Sequence, residues 1–334
     1  MSAPAPPAAL PARRTVDGIL LLDKPEGLSS NAALQRVRRL YGARKAGHTG
    51  SLDPLASGLL PVCLGQATKT SGMLLDADKT YRFEISLGAR TATGDREGEI
   101  VERVPVPALE ASAVRRIAGG FVGELEQVPP MYSAIHHAGE RLYRLARKGV
   151  EVQRPPRRVT IRRLELLGRE PGVLHFEVEC SKGTYVRTLA EDIARACSTV
   201  GHVHSLRRLA LGPFREPRMH TLESLESRVH GPDELDALLL PPDAALAGLP
   251  EVRLGTAAEA CILQGQAVFA SGPPRGRVRM YGADGRFLGV GRVSAEGREL
   301  APERIMVDLS GRDAPSLEEG GGRGYNARLL KGVK

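Results

Sequence analysis

The chain has 334 residues, 42% of them hydrophobic and 26% charged, enough to bury a core in one large domain or two modest ones. Its 47 Lys+Arg against 39 Asp+Glu leave a net charge of +8 and a pI near 9.5, which favours a polyanionic partner over an acidic one and says nothing about fold. The four cysteines, at 63, 180, 197 and 261, contain no C-x-x-C pair, and no apolar run approaches the ~20 residues of a membrane helix, which argues against a structural zinc site, a secreted disulfide scaffold and a membrane span.

Residues 1–15 (MSAPAPPAALPARRT) cannot bury anything and read as a disordered tail; they lack the continuous apolar core of a signal peptide, which fits a reducing, cytoplasmic setting. Gly18-Ile19-Leu20-Leu21-Leu22 then reads as a short buried strand. Ser29 or Ser30 caps a helix whose apolar face is Leu34, Val37 and Tyr41, and Gly42 stops it. Tyr81 to Leu87 alternates with Tyr81, Phe83, Ile85 and Leu87 on one face, and Leu174 to Cys180 alternates likewise. A helix from about Thr184 presents Leu189, Ile193 and Ala196 to the core. Strands and helices are interspersed without regular βαβ spacing, so the fold class is α+β with a mixed, largely antiparallel sheet and flanking helices.

Composition shifts near residue 220, where positions 219–251 hold seven acids against one arginine. Beyond it, Val278 to Tyr281, a turn at 282–285, Phe287 to Val293 and Arg304 to Val307 read as short strands of a small β-barrel, placing a second domain at about 249–310 after a first at 16–248. The stretch from about Gly311 to 334 reads as a second, flexible tail.

The positive charge is concentrated. Gly27 to Leu52 carries Arg36, Arg38, Arg39, Arg44 and Lys45 with no acid, and Arg141 to Arg169 carries ten basic residues against Glu151 and Glu165. Either run alone is an ordinary solvated surface. Both in one domain suggest a phosphate-binding face, and the turn-rich stretch at about 130–158 reads as a basic projecting arm.

The chemistry-bearing residues cluster in two places. Gly47-His48-Thr49-Gly50-Ser51-Leu52-Asp53-Pro54-Leu55-Ala56-Ser57-Gly58 surrounds one imidazole and one carboxylate with glycines, which lets a backbone approach a ligand closely. On spacing alone, Asp53-Pro54 also suits a helix start, His48 a structural histidine, and Tyr81 plain core packing. The second cluster, Ser181 to Arg187, lies between a strand and a helix; Arg187 has either the local Asp192 or the distant Asp53 as its partner. No Walker loop, dinucleotide fingerprint or H-E-x-x-H exists, and His202-Val203-His204 offers no convincing third metal ligand, so a cofactor-free, metal-free mechanism is preferred.

Five segments, Gly18 to Ser30 (GILLLDKPEGLSS), His48 to Lys69 (HTGSLDPLASGLLPVCLGQATK), Pro130 to Ile135 (PMYSAI), Ser181 to Ile193 (SKGTYVRTLAEDI) and Leu206 to Leu211 (LRRLAL), together resemble the bacterial TruB family of tRNA pseudouridine synthases, which act on the T-loop uridine at position 55. The likeness runs in order from about 18 to 310, and G-x-L-D-x-x-A-x-G at Gly50 to Gly58 is its most specific part. The resemblance implies that Asp53 is the catalytic aspartate, that His48 contacts the RNA where the target base leaves the stack, and that Tyr81 stacks on the flipped uracil. It further implies Tyr185 as a second active-site tyrosine, Arg187 as the partner of Asp53, Leu206 as a lining residue, and Lys24 and Pro25 as support beneath the site. It implies a pseudouridine-synthase-type sheet, a PUA-like barrel at 249–310, an RNA-gripping insertion at about 130–158, a tRNA T stem-loop as partner, a chain acting as a monomer, and no cofactor. A carboxylate can attack ribose or base, abstract a proton, or stabilise oxocarbenium-like charge, and the residues leave that choice open. Also open are a non-catalytic RNA-binding protein or tRNA-folding chaperone on the same scaffold, and a synthase aimed at another RNA.

Overall fold

Leu20 and Leu22 of the first strand enter one hydrophobic cluster while Ile19 and Leu21 enter another, so this strand is buried on both faces, which explains its unbroken apolar run. The computed structural model describes residues 13–133, 135–215, 218–228, 232–269 and 275–307. The main sheet is built from β1 (Gly18–Lys24), β2 (Ala46–His48), β3 (Ser57–Leu64), β4 (Lys79–Leu87), β5 (Gly123–Gln127), β6 (Arg157–Glu170), β7 (Val173–Cys180) and β8 (Gly201–Leu211). Its order is β1-β3-β8-β4-β7-β6-β5, with β2 added beside β3. All pairings are antiparallel except β3 with β8, the mixed and largely antiparallel sheet expected.

β4 and β7 are in register with Phe83 opposite Phe176, and the two rings stack at 5.6 Å between centroids. Each ring is fully buried, a burial that stabilises by about 2–3 kcal/mol per side chain. Helix α1 (Ser30–Leu40) starts at Ser29, whose side chain accepts from Ala32 N, and it buries Ala33, Leu34 and Val37. Gly42, at φ 57°, turns the chain out of it. Helix α2 (Val186–Ala196) buries Val186, Arg187, Leu189, Ala190, Ile193 and Ala194. Ala196, expected in the core, is exposed; Ala194 and Cys197 occupy the inward positions, because the helix begins at Val186 rather than Thr184.

The second sheet contains β9 (Glu251–Arg253), β10 (Val268–Phe269), β11 (Gly276–Tyr281), β12 (Phe287–Val293) and β13 (Glu299–Ile305), ordered β9-β11-β12-β13-β10. This is the small PUA-like sheet anticipated, with one correction. β13 begins at Glu299, five residues before the expected Arg304. Pro302 hides that strand in the sequence, and a bulge opposite it, between Val290 and Gly291, accommodates it. The small sheet sits against the main one: Phe287 and Val290 share a cluster with Ile19, Leu59, Leu211, Phe214 and Leu246. The Tyr281 hydroxyl donates to Asp243 at 2.6 Å.

Of the expected N-terminal tail, residues 1–12 lie outside the described residues, as does the expected tail from 311 to 334. Arg14 does not fit a disordered segment: it donates to both Asp236 oxygens, at 2.6 and 2.5 Å, and its Nε donates to Tyr41 O at 3.0 Å. Backbone bonds, Arg14 N to Gly42 O at 2.8 Å and Arg44 N to Arg14 O at 3.2 Å, act with that charge pair to hold the residue down. No helix among the described residues is long and apolar enough to cross a membrane.

Candidate active site

β2 and β3 are joined by the glycine-rich segment that carries Asp53. Pro54 starts no helix; 49–56 is a run of turns, in which Ala56 N donates to Asp53 O at 3.0 Å. Three elements hold it. Ser30, at the start of α1, accepts from Leu52 N at 2.7 Å and donates to Leu52 O at 3.0 Å. Gly27 N donates to Pro54 O at 2.9 Å. Lys24, fully buried at the end of β1, donates to Pro25 O at 2.8 Å, Leu28 O at 2.7 Å and Pro54 O at 3.4 Å. Lys24 and the Pro25 carbonyl thus brace the floor below Asp53, and burial pushes the Lys24 ammonium down to about 8.

Arg187 reaches Asp53 from α2, with Nη2 3.0 Å from Asp53 Oδ2. Asp192, the local alternative, pairs with Arg195 instead. The Arg187 side chain is 5% exposed and that of Asp53 43%, so the pair is closed on the arginine side and open on the carboxylate side. A second carboxylate, Asp95, lies 3.6 Å from Arg187 Nη1 and is 6% exposed. Arg187 also donates to Thr93 O at 2.8 Å and Tyr132 O at 2.7 Å, so each terminal nitrogen meets a carboxylate and a carbonyl. Burial raises the Asp53 carboxyl above its ordinary 3.8, and the neighbouring Asp95 adds to that; Arg187 and Lys24 pull it back only in part.

Tyr81, on β4, is half-buried and belongs to the face that borders the core, across the β4–β8 ladder from Arg208. Burial raises its pKa, keeping it a neutral ring. His48 ends β2 opposite Val62; burial and the Arg208 charge hold its imidazole below its ordinary value, and its Nδ1 is buried without a partner. Tyr185 stands just before α2, where buried Gln127 clamps its backbone: Tyr185 N donates to Gln127 Oε1 at 3.0 Å and Gln127 Nε2 to Tyr185 O at 3.3 Å. Leu206, on β8, is buried and pairs across from Phe83, two residues along the strand pair from Tyr81 and on the same face. Asp53, Arg187, Lys24, Tyr81 and Tyr185 thus converge, His48 and Leu206 flank them, and Pro25 contributes its carbonyl.

Asp95 and Gln127 went unassigned in the sequence, and Ser30, read there as an alternative helix cap, instead holds Leu52. For Asp95 and Gln127 nothing local marks them; only the fold brings them to Arg187 and Tyr185. His202, half of the weak histidine pair, is buried with Nδ1 on Ala89 O at 2.8 Å, a structural role.

A model described as TruB family pseudouridylate synthase, N-terminal domain, matches residues 38–186. A tRNA pseudouridylate synthase B C-terminal domain matches 187–247, and a pseudouridine synthase II TruB C-terminal model matches 250–306. The chain is similar to tRNA pseudouridine synthase B of Nitrosococcus oceani, 51% identical over 298 residues that cover 89% of this chain and 96% of that one. It is similar to the enzyme of the same name from Burkholderia mallei, 52% identical over 303 residues, covering 89% and 99%. Among solved structures, that of a Cbf5-Nop10-Gar1 complex shares the fold, with TM-score 0.68 and 24% identity over 87% of this chain and 85% of that one. The chain belongs to the TruB family of pseudouridine synthases.

Proposed function

We propose that this chain converts uridine 55 in the T stem-loop of tRNA to pseudouridine, with Asp53 as its catalytic carboxylate. The observation that carries the reading is the half-open ion pair, a carboxylate held by a buried arginine yet exposed toward solvent, beside a neutral tyrosine ring. The reaction breaks the N1–C1′ bond, turns the base and forms C5–C1′; it is an isomerisation with no net redox change. Arg187 pulls the Asp53 carboxyl back toward its ionised form, against the burial that raises it. The target base must leave its stack, at a cost of a few kcal/mol, and stacking on Tyr81 offsets part of that. His48 contacts the RNA beside the extruded base, Tyr185 and Leu206 line its pocket, and Lys24 with Pro25 supports the floor.

The basic insertion at about 130–158 grips the RNA backbone. It folds as a small hairpin, 136–137 with 140–141, followed by a short helix at 142–147, and presents Arg141, Arg144, Arg147, Arg157 and Arg158 to solvent. The domain at 249–310 supports RNA binding, and the enzyme acts as a monomer on cytoplasmic tRNA.

The test uses tRNA transcript tritiated at uracil C5, since forming C5–C1′ expels that hydrogen to water. Wild type releases tritium with no added cofactor, and Asp53→Asn lowers release by on the order of 10⁴-fold or more while still retaining tRNA. Tight binding without release by wild type would favour the non-catalytic RNA-binding reading instead.

A further inference from the structure

Arg208 heads the fully buried side chains by size, at 1% exposure, and it lies within the site rather than on a surface. Among the described residues no carboxylate forms an ion pair with it. A buried guanidinium left without a counter-charge is costly and persists only where its donors are well used. Its donors go to backbone carbonyls: Nε to Leu59 O at 2.7 Å and Nη2 to Gly50 O at 2.9 Å. Those two carbonyls bracket the segment that carries Asp53. Arg208 also stands directly across the β4–β8 ladder from Tyr81, and its charge acts on the Tyr81 hydroxyl.

The backbone is shaped to allow this. Arg208 pairs with Gly58 where β8 runs parallel to β3, and a Cβ on Gly58 would come within 2.3 Å of Arg208 O. Gly50, at φ 69°, would likewise bring a Cβ to 3.3 Å from Arg208 Nη1. The glycines at both ends of the loop therefore make room for one arginine. Its neighbour Arg207 points to the other side and forms a two-pronged pair with Asp23, at 2.9 and 2.7 Å, so the two adjacent arginines have separate roles.

We infer that Arg208 is a positioning residue for the isomerisation: one planar guanidinium ties both ends of the Asp53 loop to the strand position that faces Tyr81 and so sets the spacing between carboxylate and ring. This rests on the isomerase reading above. Lysine keeps the charge but is a point donor that cannot hold both loop carbonyls in one fixed plane. Methionine fills similar volume without a charge to bury.

Full-length Arg208→Lys and Arg208→Met are assayed by single-turnover tritium release, with circular dichroism and thermal melts confirming the fold. Both release tritium about 100-fold more slowly than wild type, the loss expected from misplacing reacting groups by about an ångström. Their tRNA affinity, read by filter retention in an Asp53→Asn background, stays within about threefold, since the hydrogen bonds removed lie inside the protein and none reaches the RNA. Tyr81→Phe, which removes only the hydroxyl, costs less in Arg208→Met than in wild type because the charge acting on that hydroxyl is already gone. A merely structural arginine gives additive losses instead. The assignment is overturned by folded Arg208→Lys releasing within threefold of wild type, by strictly additive Tyr81→Phe effects, or by both Arg208 variants failing to fold. Absence of release from wild type is a separate outcome: it removes the isomerase reading first, and this assignment with it.

Discussion

The candidate active site and the small C-terminal sheet both use arginine–carboxylate pairs, but in opposite surroundings. At the site, Arg187 is 5% exposed and holds one carboxylate that is buried and one that is open. In the small sheet, Arg277 and Arg292 share Glu303 with side chains 44%, 55% and 26% exposed. Water screens the second group, so its geometry, although close, contributes little to stability. The first group sits in low dielectric, where every missing partner leaves a charge without compensation. The same residue types therefore form a charge cluster closed around a buried arginine at the site and a solvated surface in the small sheet, and burial is what separates them.

The largest expected effect that tests this contrast is Arg187→Met. It leaves Asp95 buried without its cation and Asp53 with less reason to ionise, so tritium release falls by on the order of 10²- to 10³-fold, and stability to urea by about 3 kcal/mol. Next is Asp95→Asn, which keeps the shape and removes one charge. Release slows by roughly 10- to 100-fold, read under single turnover, because Arg187 loses one of its two carboxylate anchors. An unchanged rate in a folded variant would show that Asp95 does not help orient the pair.

A smaller effect comes from pH. The Asp53 carboxyl lies above its ordinary 3.8, so protonation silences it at a higher pH than an ordinary aspartate; the acid limb of the rate profile follows it and moves higher still in Arg187→Met. Lys24, pushed down to about 8, loses its proton as pH rises through that value, and with the proton goes a donor below Asp53. An unfolded lysine keeps its proton up to 10.5, so between about 8 and 10.5 the unfolded chain binds more protons and the contribution of Lys24 to stability rises with pH. Activity and thermal stability should therefore part company above about pH 8, a divergence that Lys24→Met removes. The smallest effect is Arg277→Gln in the small sheet, with stability changed by no more than about 1 kcal/mol and release unchanged. A larger loss there would erase the contrast between the site and the small sheet.

Much of this was legible along the chain. Alternation located β4 and β7, a capping serine and a terminal glycine bounded α1, and the glycine-rich segment around Asp53 marked the loop as special. Two further signals were present. Arg187 shares a helix face with Ala190 and Ala194, and Arg208 alternates with Leu206 and Ala210 on a strand; an arginine among apolar positions is a buried arginine. What local pattern could not supply was the partner of each. Asp53 or Asp192 for Arg187, Asp95 as a second carboxylate, Gln127 beneath Tyr185 and the loop carbonyls on Arg208 are all joined across long stretches of chain. Periodicity reports which face of an element is inward. It carries nothing about which other element covers that face.

By itself, then, the sequence determined the α+β class, the inward faces of the main strands, the loop bearing Asp53 and, through its motifs, the family. Tertiary structure alone decided that Arg187 lies buried between Asp53 and Asp95, that Asp53 is the one left open, and that β13 continues through Pro302. The physical reason is that secondary structure follows from short-range sterics and hydrogen bonding, whereas the charge state and reach of a side chain depend on burial and on neighbours that only the packed sheet brings together.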